Sequence, residues 1–455
     1  MKRKRKSLTE GSIVKQLAGL ALPMMLGILS LVAFNLVDTY FVGKLGKTQL
    51  AALSFTFPVI MVIFSIVQGL GIGATALISK SIGQNNRQKA ARETTDSLTL
   101  SFIVGGLFIM VGLLTVKPTF VLLGASQKVL PYVVEYMTIW YFALLFVIVP
   151  FIGNSAIRST GDAMTPSLIM IFAVIINAIL DPLLIFGYGP FPEMGLKGAA
   201  YATAISRAMT MVLAFLILRY REKLIRLDIP SWKTLIGCWK AILYIGIPSG
   251  LSRVIIPVMT GIITSLLARY GESAVAAFGV GTRIEFLAMS LLIAISASIG
   301  PFTGQNYGAY NFGRIQKGMH LSTLFAVSWG LVLAVLFFFF GESLAGVFTQ
   351  DTDVIAKTAL YLKILPVGFG FQGVVQIVNS NLNTLNKPIH ASGLILLQMF
   401  GIALPLIFIG REFFEMQGIF FGWMGAYVIG GIVSFFADRK IVSLTASRYL
   451  TKNGA

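Results

Sequence analysis

The chain has 455 residues, of which 56% are hydrophobic and only 12% charged, and it carries a formal net charge of +18. Soluble domains hold about 25% charged residues, so this chain cannot clothe a globule of its size and its excess apolar surface must face lipid. That excludes a soluble enzyme, a nucleic-acid binder and a disordered chain.

The chain opens on a basic cluster, Met1 to Ser7. The apolar stretch behind it, Ile13 to Val42, is about twice the length of a signal-peptide core, and no small-residue cleavage motif follows. It is predicted to be an uncleaved first membrane helix, near 13–42. Eleven further segments follow near 51–79, 97–116, 132–157, 166–187, 195–218, 238–267, 274–303, 321–341, 355–382, 389–410 and 418–437. Each approaches the roughly 20 apolar residues a membrane helix needs, and none alternates as barrel strands do. The expected fold is all-α, with twelve transmembrane helices and short loops.

With the N-terminus on the cytoplasmic side, 24 of the 36 Lys and Arg fall on that side and 8 on the other. The remaining four, Arg207, Arg253, Arg283 and Lys363, lie within helices. Such a bias places both termini in the cytoplasm. It explains the basic balance without nucleic acid, and it suits anionic lipid headgroups.

The sequence also resembles itself at a shift of 225 residues. Pro23 falls on Pro248, Gly46 on Gly271, Ser65 on Ser290, Gly83 on Gly308 and Asn154-Ser155 on Asn379-Ser380. After a small deletion, Pro182-Leu183 meets Pro405-Leu406 and Gly195 meets Gly418. Two six-helix lobes follow: 1–218 and 238–455, joined by a basic cytoplasmic linker, 219–237. Six is even, so the lobes share one topology, as in two-lobed transporters whose substrate path runs between repeats.

The repeat makes each lobe a control for the other. Of the 18 acidic residues, fifteen are placed in loops, termini or helix ends, and Asp38, Asp181 and Glu285 fall inside spans. A charge at the bilayer centre costs roughly 2.5–3.5 kcal/mol on insertion scales, which makes it a functional candidate by default. Asp38 is matched by Ile263, Asp181 by Leu404, Asn177 by Phe400 and Thr203 by Ala426. This polar set therefore occurs in the first lobe alone. Asn177 and Asp181, four residues apart, share one helical face. Asp38, Asp181 and Thr203 are all expected in the outer half of the bilayer. Two carboxylates in a low-dielectric site cannot easily both stay ionised, which suits a reversible proton binder. The same oxygens suit Na⁺, a hard cation, and the sequence does not choose between them. Asn154, Asn35, Glu285 and Arg283 are further candidate lining residues. An internal charge cluster and a structural ion pair are both open readings of Glu285 with Arg283 and Arg253. Pro23, in the first helix, is a candidate conformational hinge. The two histidines, His320 and His390, form no metal-spaced pair, and no catalytic metal or cofactor is expected.

With these pieces in hand, the sequence resembles the multidrug and toxic compound extrusion (MATE) family. The matching motifs are Val37-Asp38-Thr39, Gly153-Asn154 through Arg158-Ser-Thr-Gly161-Asp162 with Pro166, Asn177 with Asp181-Pro182, and Gly198-Ala-Ala-Tyr-Ala-Thr203. By that resemblance, Asp38, Asn177, Asp181 and Thr203 map onto an N-lobe cation and proton site, and Pro23 onto a bending proline. Gln372, Gln376 and Asn379 stand where other members carry a C-lobe acid, which places the chain nearer the DNA-damage-inducible-F-like branch. The resemblance implies a secondary antiporter, not an enzyme, that exports cationic or amphipathic compounds in exchange for H⁺ or Na⁺ by alternating access. The expected location is the bacterial inner membrane and the expected state a monomer. The alternative is a flippase for a lipid-linked precursor, with Arg207, Arg253, Arg283 and Lys363 as its candidate phosphate contacts. An ATP-driven pump is excluded by the lack of a phosphate-binding Gly-rich loop ending in Gly-Lys-Ser/Thr.

Overall fold

In the computed structural model, residues 7–453 are described, and the basic residues Lys2 to Lys6 lie outside them. The apolar segments form helices α1 (Ile13–Leu45), α2 (Lys47–Gly83), α3 (Arg87–Leu122), α4 (Leu130–Ala143), α5 (Leu145–Ser159), α6 (Met164–Phe186) and α7 (Leu196–Leu216). The second half supplies α8 (Trp232–Leu267), α9 (Glu272–Gly308), α10 (Phe312–Gly346), α11 (Thr352–Ile364), α12 (Pro366–Thr384), α13 (Pro388–Leu396) and α14 (Leu404–Asn453). Turn chemistry punctuates them. The Asn86 side chain accepts from the Lys89 amide at 2.9 Å to cap α3, and Gly187, at φ 71°, closes α6 in the left-handed conformation that glycine tolerates.

Among the described residues, nine helices are long and apolar enough to cross a membrane, and two bent pairs bring the number to eleven. The run Pro388–Ser447 is itself broken at Phe414 and Glu415, where Glu415 has φ 51°. Dividing it there gives the twelve spans expected from the sequence. The segments expected as single helices near 132–157 and 355–382 are bent instead, by 42° between α4 and α5 and by 55° between α11 and α12. At the second bend Pro366 opens α12; it has no N–H to donate back into α11, so the ladder stops there.

The chain forms two compact units. Of the described residues, the first holds Ser7 and Pro23–Gly250, and the second holds Leu8–Leu22 and the chain from Leu251 onward. Pro23, inside α1, thus begins the first unit. In that unit α2 and α8 approach closely. A Cβ on Gly69 would lie 2.2 Å from the Gly246 carbonyl oxygen, so no larger residue fits there without displacing backbone. The linker is tied to the same unit by Arg226, whose N–H donates to Thr95 Oγ1 at 3.0 Å, and α8 by Trp239, whose Nε1 donates to the Asp96 carbonyl at 3.0 Å. In the second unit Leu8 is buried. Its amide donates to Gln305 Oε1 and its carbonyl accepts from Asn306 Nδ2, both at 3.0 Å.

Asp96 corrects the placing of fifteen acids at loops and helix ends. It lies within α3 and is fully buried, and Arg92 one turn earlier donates to its Oδ1 at 2.6 Å. The buried Asp438, within α14, accepts from Asn381 Nδ2 at 2.7 Å. In each, a hydrogen-bond partner offsets part of the loss of water.

Candidate cation site

The first unit gathers its polar residues into an apolar wall. Asp38 reaches in from α1, Asn177 and Asp181 from α6, and Thr203 from α7. All four are buried, with exposures of 7%, 0%, 0% and 6%. The helical spacing of Asn177 and Asp181 brings the amide Nδ2 to donate to Asp181 Oδ1 at 3.1 Å. Asp181 lies within electrostatic range of Asp38, and Tyr136 of α4, 3% exposed, lies within range of both. The surrounding core is hydrophobic, with Val42, Ile185, Leu196, Ala199 and Ala200 among its members.

Four buried oxygens of this set have no hydrogen-bond partner among the described residues: Asp38 Oδ1, Asn177 Oδ1, Asp181 Oδ2 and Thr203 Oγ1. Leaving a buried polar atom unpaired costs about 1–3 kcal/mol. Those of Asp38, Asn177 and Asp181 fall in one group, linked by a hydrogen bond and by electrostatic range, and suit a positively charged or proton-bearing guest. Carboxylate, amide and hydroxyl oxygens are the donors a hard monovalent cation prefers, and either carboxylate can take a proton instead. The residues present thus fit both H⁺ and Na⁺. Along the helices, Asp38 lies seven residues before Leu45, Asp181 five before Phe186 and Thr203 seven after Leu196. At 1.5 Å per residue each is roughly 8–11 Å from its helix end.

The other candidates fall elsewhere. Asn154, on α5, is buried with its own Oδ1 unpaired, and like Thr203 it makes no hydrogen bond to Asp38, Asn177 or Asp181 among the described residues. Asn35 is exposed on α1, nearly one turn from Asp38. Glu285, on α9, is held by neither Arg283 nor Arg253. Two tyrosines bind it: Tyr361 OH donates to Oε2, and Tyr427 OH donates to Oε1 at 3.1 Å. Arg283 is exposed, so the ion-pair and charge-cluster readings of Glu285 give way to a carboxylate clamped by phenols. Phe278 lies 5.9 Å from Tyr361 and 6.2 Å from Trp423, ring centre to centre, and closes an aromatic wall around that clamp.

The sequence reading missed Tyr136 and the tyrosines on Glu285. The signal was present in the repeat: at the shift of 225, Tyr136 falls on Tyr361. Each unit thus sets the same tyrosine within range of a carboxylate inside its spans, although the carboxylates come from different helices.

An integral membrane protein of two repeated helical units, with a carboxylate pair buried in the first, is a secondary-transporter architecture. The MatE family description matches residues 23–183 and 248–409, two stretches whose starts are separated by the repeat shift. The chain belongs to the MATE family, whose members are multi-pass membrane transporters and not enzymes. It is 34% identical over 437 residues to a protein of Shewanella oneidensis named FAD transporter, covering 96% of this chain and 97% of that one. It is 26% identical over 409 residues to the multidrug export protein MepA of Staphylococcus aureus, covering 90% and 89%. Among solved structures, the Vibrio cholerae MATE transporter VcmN in the bent form superposes with a TM-score of 0.91 at 30% identity, covering 97% of this chain and 99% of that one.

Proposed function

We propose that this transporter is an ion-coupled exporter of small organic compounds, in which inward movement of H⁺ or Na⁺ through the Asp38–Asp181 set drives outward movement of substrate. The observation that carries this reading is the set of four buried, unpartnered oxygens around two carboxylates. Binding of the ion favours one arrangement of the transporter by as much as its affinity differs between arrangements, and by no more. Pro23 is the hinge through which α1 passes that change on, since proline deletes one helical hydrogen bond. Both termini face the cytoplasm and the membrane is the bacterial inner membrane. The protein works as a monomer without a cofactor.

The test uses proteoliposomes holding a fluorescent cationic dye, with an imposed pH jump or Na⁺ jump. Wild-type protein moves dye in response to one of the two jumps, and Asp38→Asn does not. Equal ion-driven transport by both proteins refutes the assignment of Asp38.

A second reading concerns the substrate. The relative at 34% identity is named for an aromatic dinucleotide, and the multidrug relative is more distant at 26%. The second supports export; the first supports a phosphate-bearing aromatic cargo. The energetics differ. A cationic drug leaves a cell against the inside-negative potential and depends wholly on the coupling ion. An anion leaves with that potential, which is worth about 2.3 kcal/mol per charge per 100 mV.

A further inference from the structure

We propose that Arg207 and Phe34 form an anchoring pair for the phosphate group of an aromatic substrate within the first unit. This deepens the second reading and rests on it.

Arg207 sits on α7, eleven residues after Leu196 and fourteen before Arg221, in a spanning segment of 26 residues. At 1.5 Å per residue it is roughly 17 and 21 Å from the two ends, near the membrane centre. Its guanidinium carbon lies 4.4 Å from the centre of the Phe34 ring. Among the described residues the guanidinium enters no ion pair and donates no hydrogen bond; the hydrogen bond at Arg207 is accepted by its carbonyl from Thr210 Oγ1. A charged group at this depth is rare and is normally paired or facing a polar interior. Phe34 and Asp38 beside it are buried, whereas Arg207 is partly accessible. Asp38 is within electrostatic range of it yet outside contact.

The repeat isolates the feature. At the matching positions of the second unit stand Gly430 and Met259. The room at Gly430 is taken by Gln398, whose Cγ would lie 2.7 Å from an added Cβ. A residue needed only to fill the lobe would have a counterpart of similar size, and this one has none. A guanidinium stacked on an aromatic ring is held flat with its N–H fork open. That geometry matches two oxygens of a phosphate and extends the ring stack to an aromatic moiety on the same molecule. The phosphate belongs to a soluble dinucleotide or to a lipid headgroup, and the experiment separates the two.

The experiment titrates flavin adenine dinucleotide, by its fluorescence, into the full chain in phosphatidylcholine nanodiscs. Wild type is compared with Arg207→Gln, Arg207→Lys and Phe34→Leu. Short-chain phosphatidylglycerol and inorganic pyrophosphate serve as competitors, and each variant's melting midpoint is recorded. The expected result is saturable binding by wild type, displaced by pyrophosphate. Arg207→Gln then weakens it about 10- to 100-fold at an unchanged midpoint, with Arg207→Lys, which keeps charge but loses the fork, in between. Phe34→Leu tests the same pair should Arg207→Gln prove unstable, and it too weakens binding. Wild-type affinity in folded Arg207→Gln or Phe34→Leu overturns the anchoring pair and leaves the dinucleotide reading standing. Absence of binding by wild type overturns both. Displacement by phosphatidylglycerol but not by pyrophosphate overturns the dinucleotide assignment in favour of a lipid headgroup.

Discussion

The two halves of this transporter repeat one sequence pattern and treat their carboxylates in opposite ways. In the first, Asp38, Asn177, Asp181 and Thr203 leave four buried oxygens unpaired. In the second, their counterparts Ile263, Phe400, Leu404 and Ala426 carry no titratable group. The carboxylate that falls inside a span of the second half, Glu285, has each oxygen engaged by a tyrosine. A polar group whose bonds are satisfied contributes to a fixed structure; one whose bonds are left open is ready for a guest. On the proposed function, the difference separates a site for the coupling ion from a clamp that joins helices. Tyr136 and Tyr361, equivalent in the repeat, sharpen the contrast, because the same side chain stands beside both.

The comparison breaks most sharply at Asp38. Replacing it with Asn is expected to bring ion-driven efflux in vesicles down to background, the largest effect of any single change. Asp181→Asn leaves one carboxylate and one unpaired amide oxygen, and is expected to reduce the same flux strongly without abolishing it. Removing the amide partner, Asn177→Ala, deletes the 3.1 Å bond to Asp181 and is expected to weaken ion affinity by about tenfold, equivalent to roughly 1.4 kcal/mol, read as a higher ion concentration for half-maximal flux.

The second half should respond in the other currency, stability. Tyr427→Phe removes a donor from Glu285 and leaves one oxygen unpaired. It should lower thermal stability by about 1–3 kcal/mol, measured by detergent-phase melting, with ion-driven flux largely kept. Loss of ion coupling at unchanged stability would show that Glu285 also exchanges an ion and would erase the distinction.

The smallest effect is expected at the edge of the first unit, outside the membrane. Burial alone would raise the Asp162 carboxyl, but hydrogen bonds from Thr165 and the Arg221 guanidinium outweigh it and hold it below its ordinary value. Arg221 Nη2 lies 2.6 Å from Asp162 Oδ2, and Thr165 Oγ1 donates to the same oxygen at 2.7 Å. A carboxyl depressed in the folded state stabilises fully above its unfolded value and loses that contribution as pH falls through the folded one. Melting of Asp162→Asn should therefore differ from wild type slightly at neutral pH and converge with it in acid. An unchanging gap down to strongly acidic pH would assign the effect to packing.

Much of this was legible in the residues. The composition required a membrane, the apolar runs gave the spans, and the repeat exposed Asp38, Asn177, Asp181 and Thr203 as the places where the halves diverge. These arguments rest on one-dimensional quantities that a sequence carries directly: length, period and difference at a fixed shift. The rest depended on geometry. Whether Asp96 lies in a loop or inside α3 turns on how far a helix runs past the hydrocarbon, and Arg92 one turn away permits the longer run. The partners of Glu285 lie 76 and 142 residues along the chain, and no local pattern ties them to it. Arg283, only two residues away, was the plausible partner by proximity in sequence. On a helix, residues two apart point to different sides, and here Arg283 points outward. The bend between α11 and α12 falls at Pro366, which the sequence reading passed over, because a proline inside an apolar run marks either a kink or a tolerated irregularity.

The central claim is that the first half's buried carboxylates exchange the coupling ion. Counting ions on the purified protein tests it most directly. Wild type, the double variant Asp38→Asn with Asp181→Asn, and Glu285→Gln are held in weakly buffered detergent, and proton release is recorded with an indicator dye as Na⁺ or substrate is added. The account predicts release by wild type and by Glu285→Gln, and none by the double variant. Release from the double variant equal to that of wild type would contradict it.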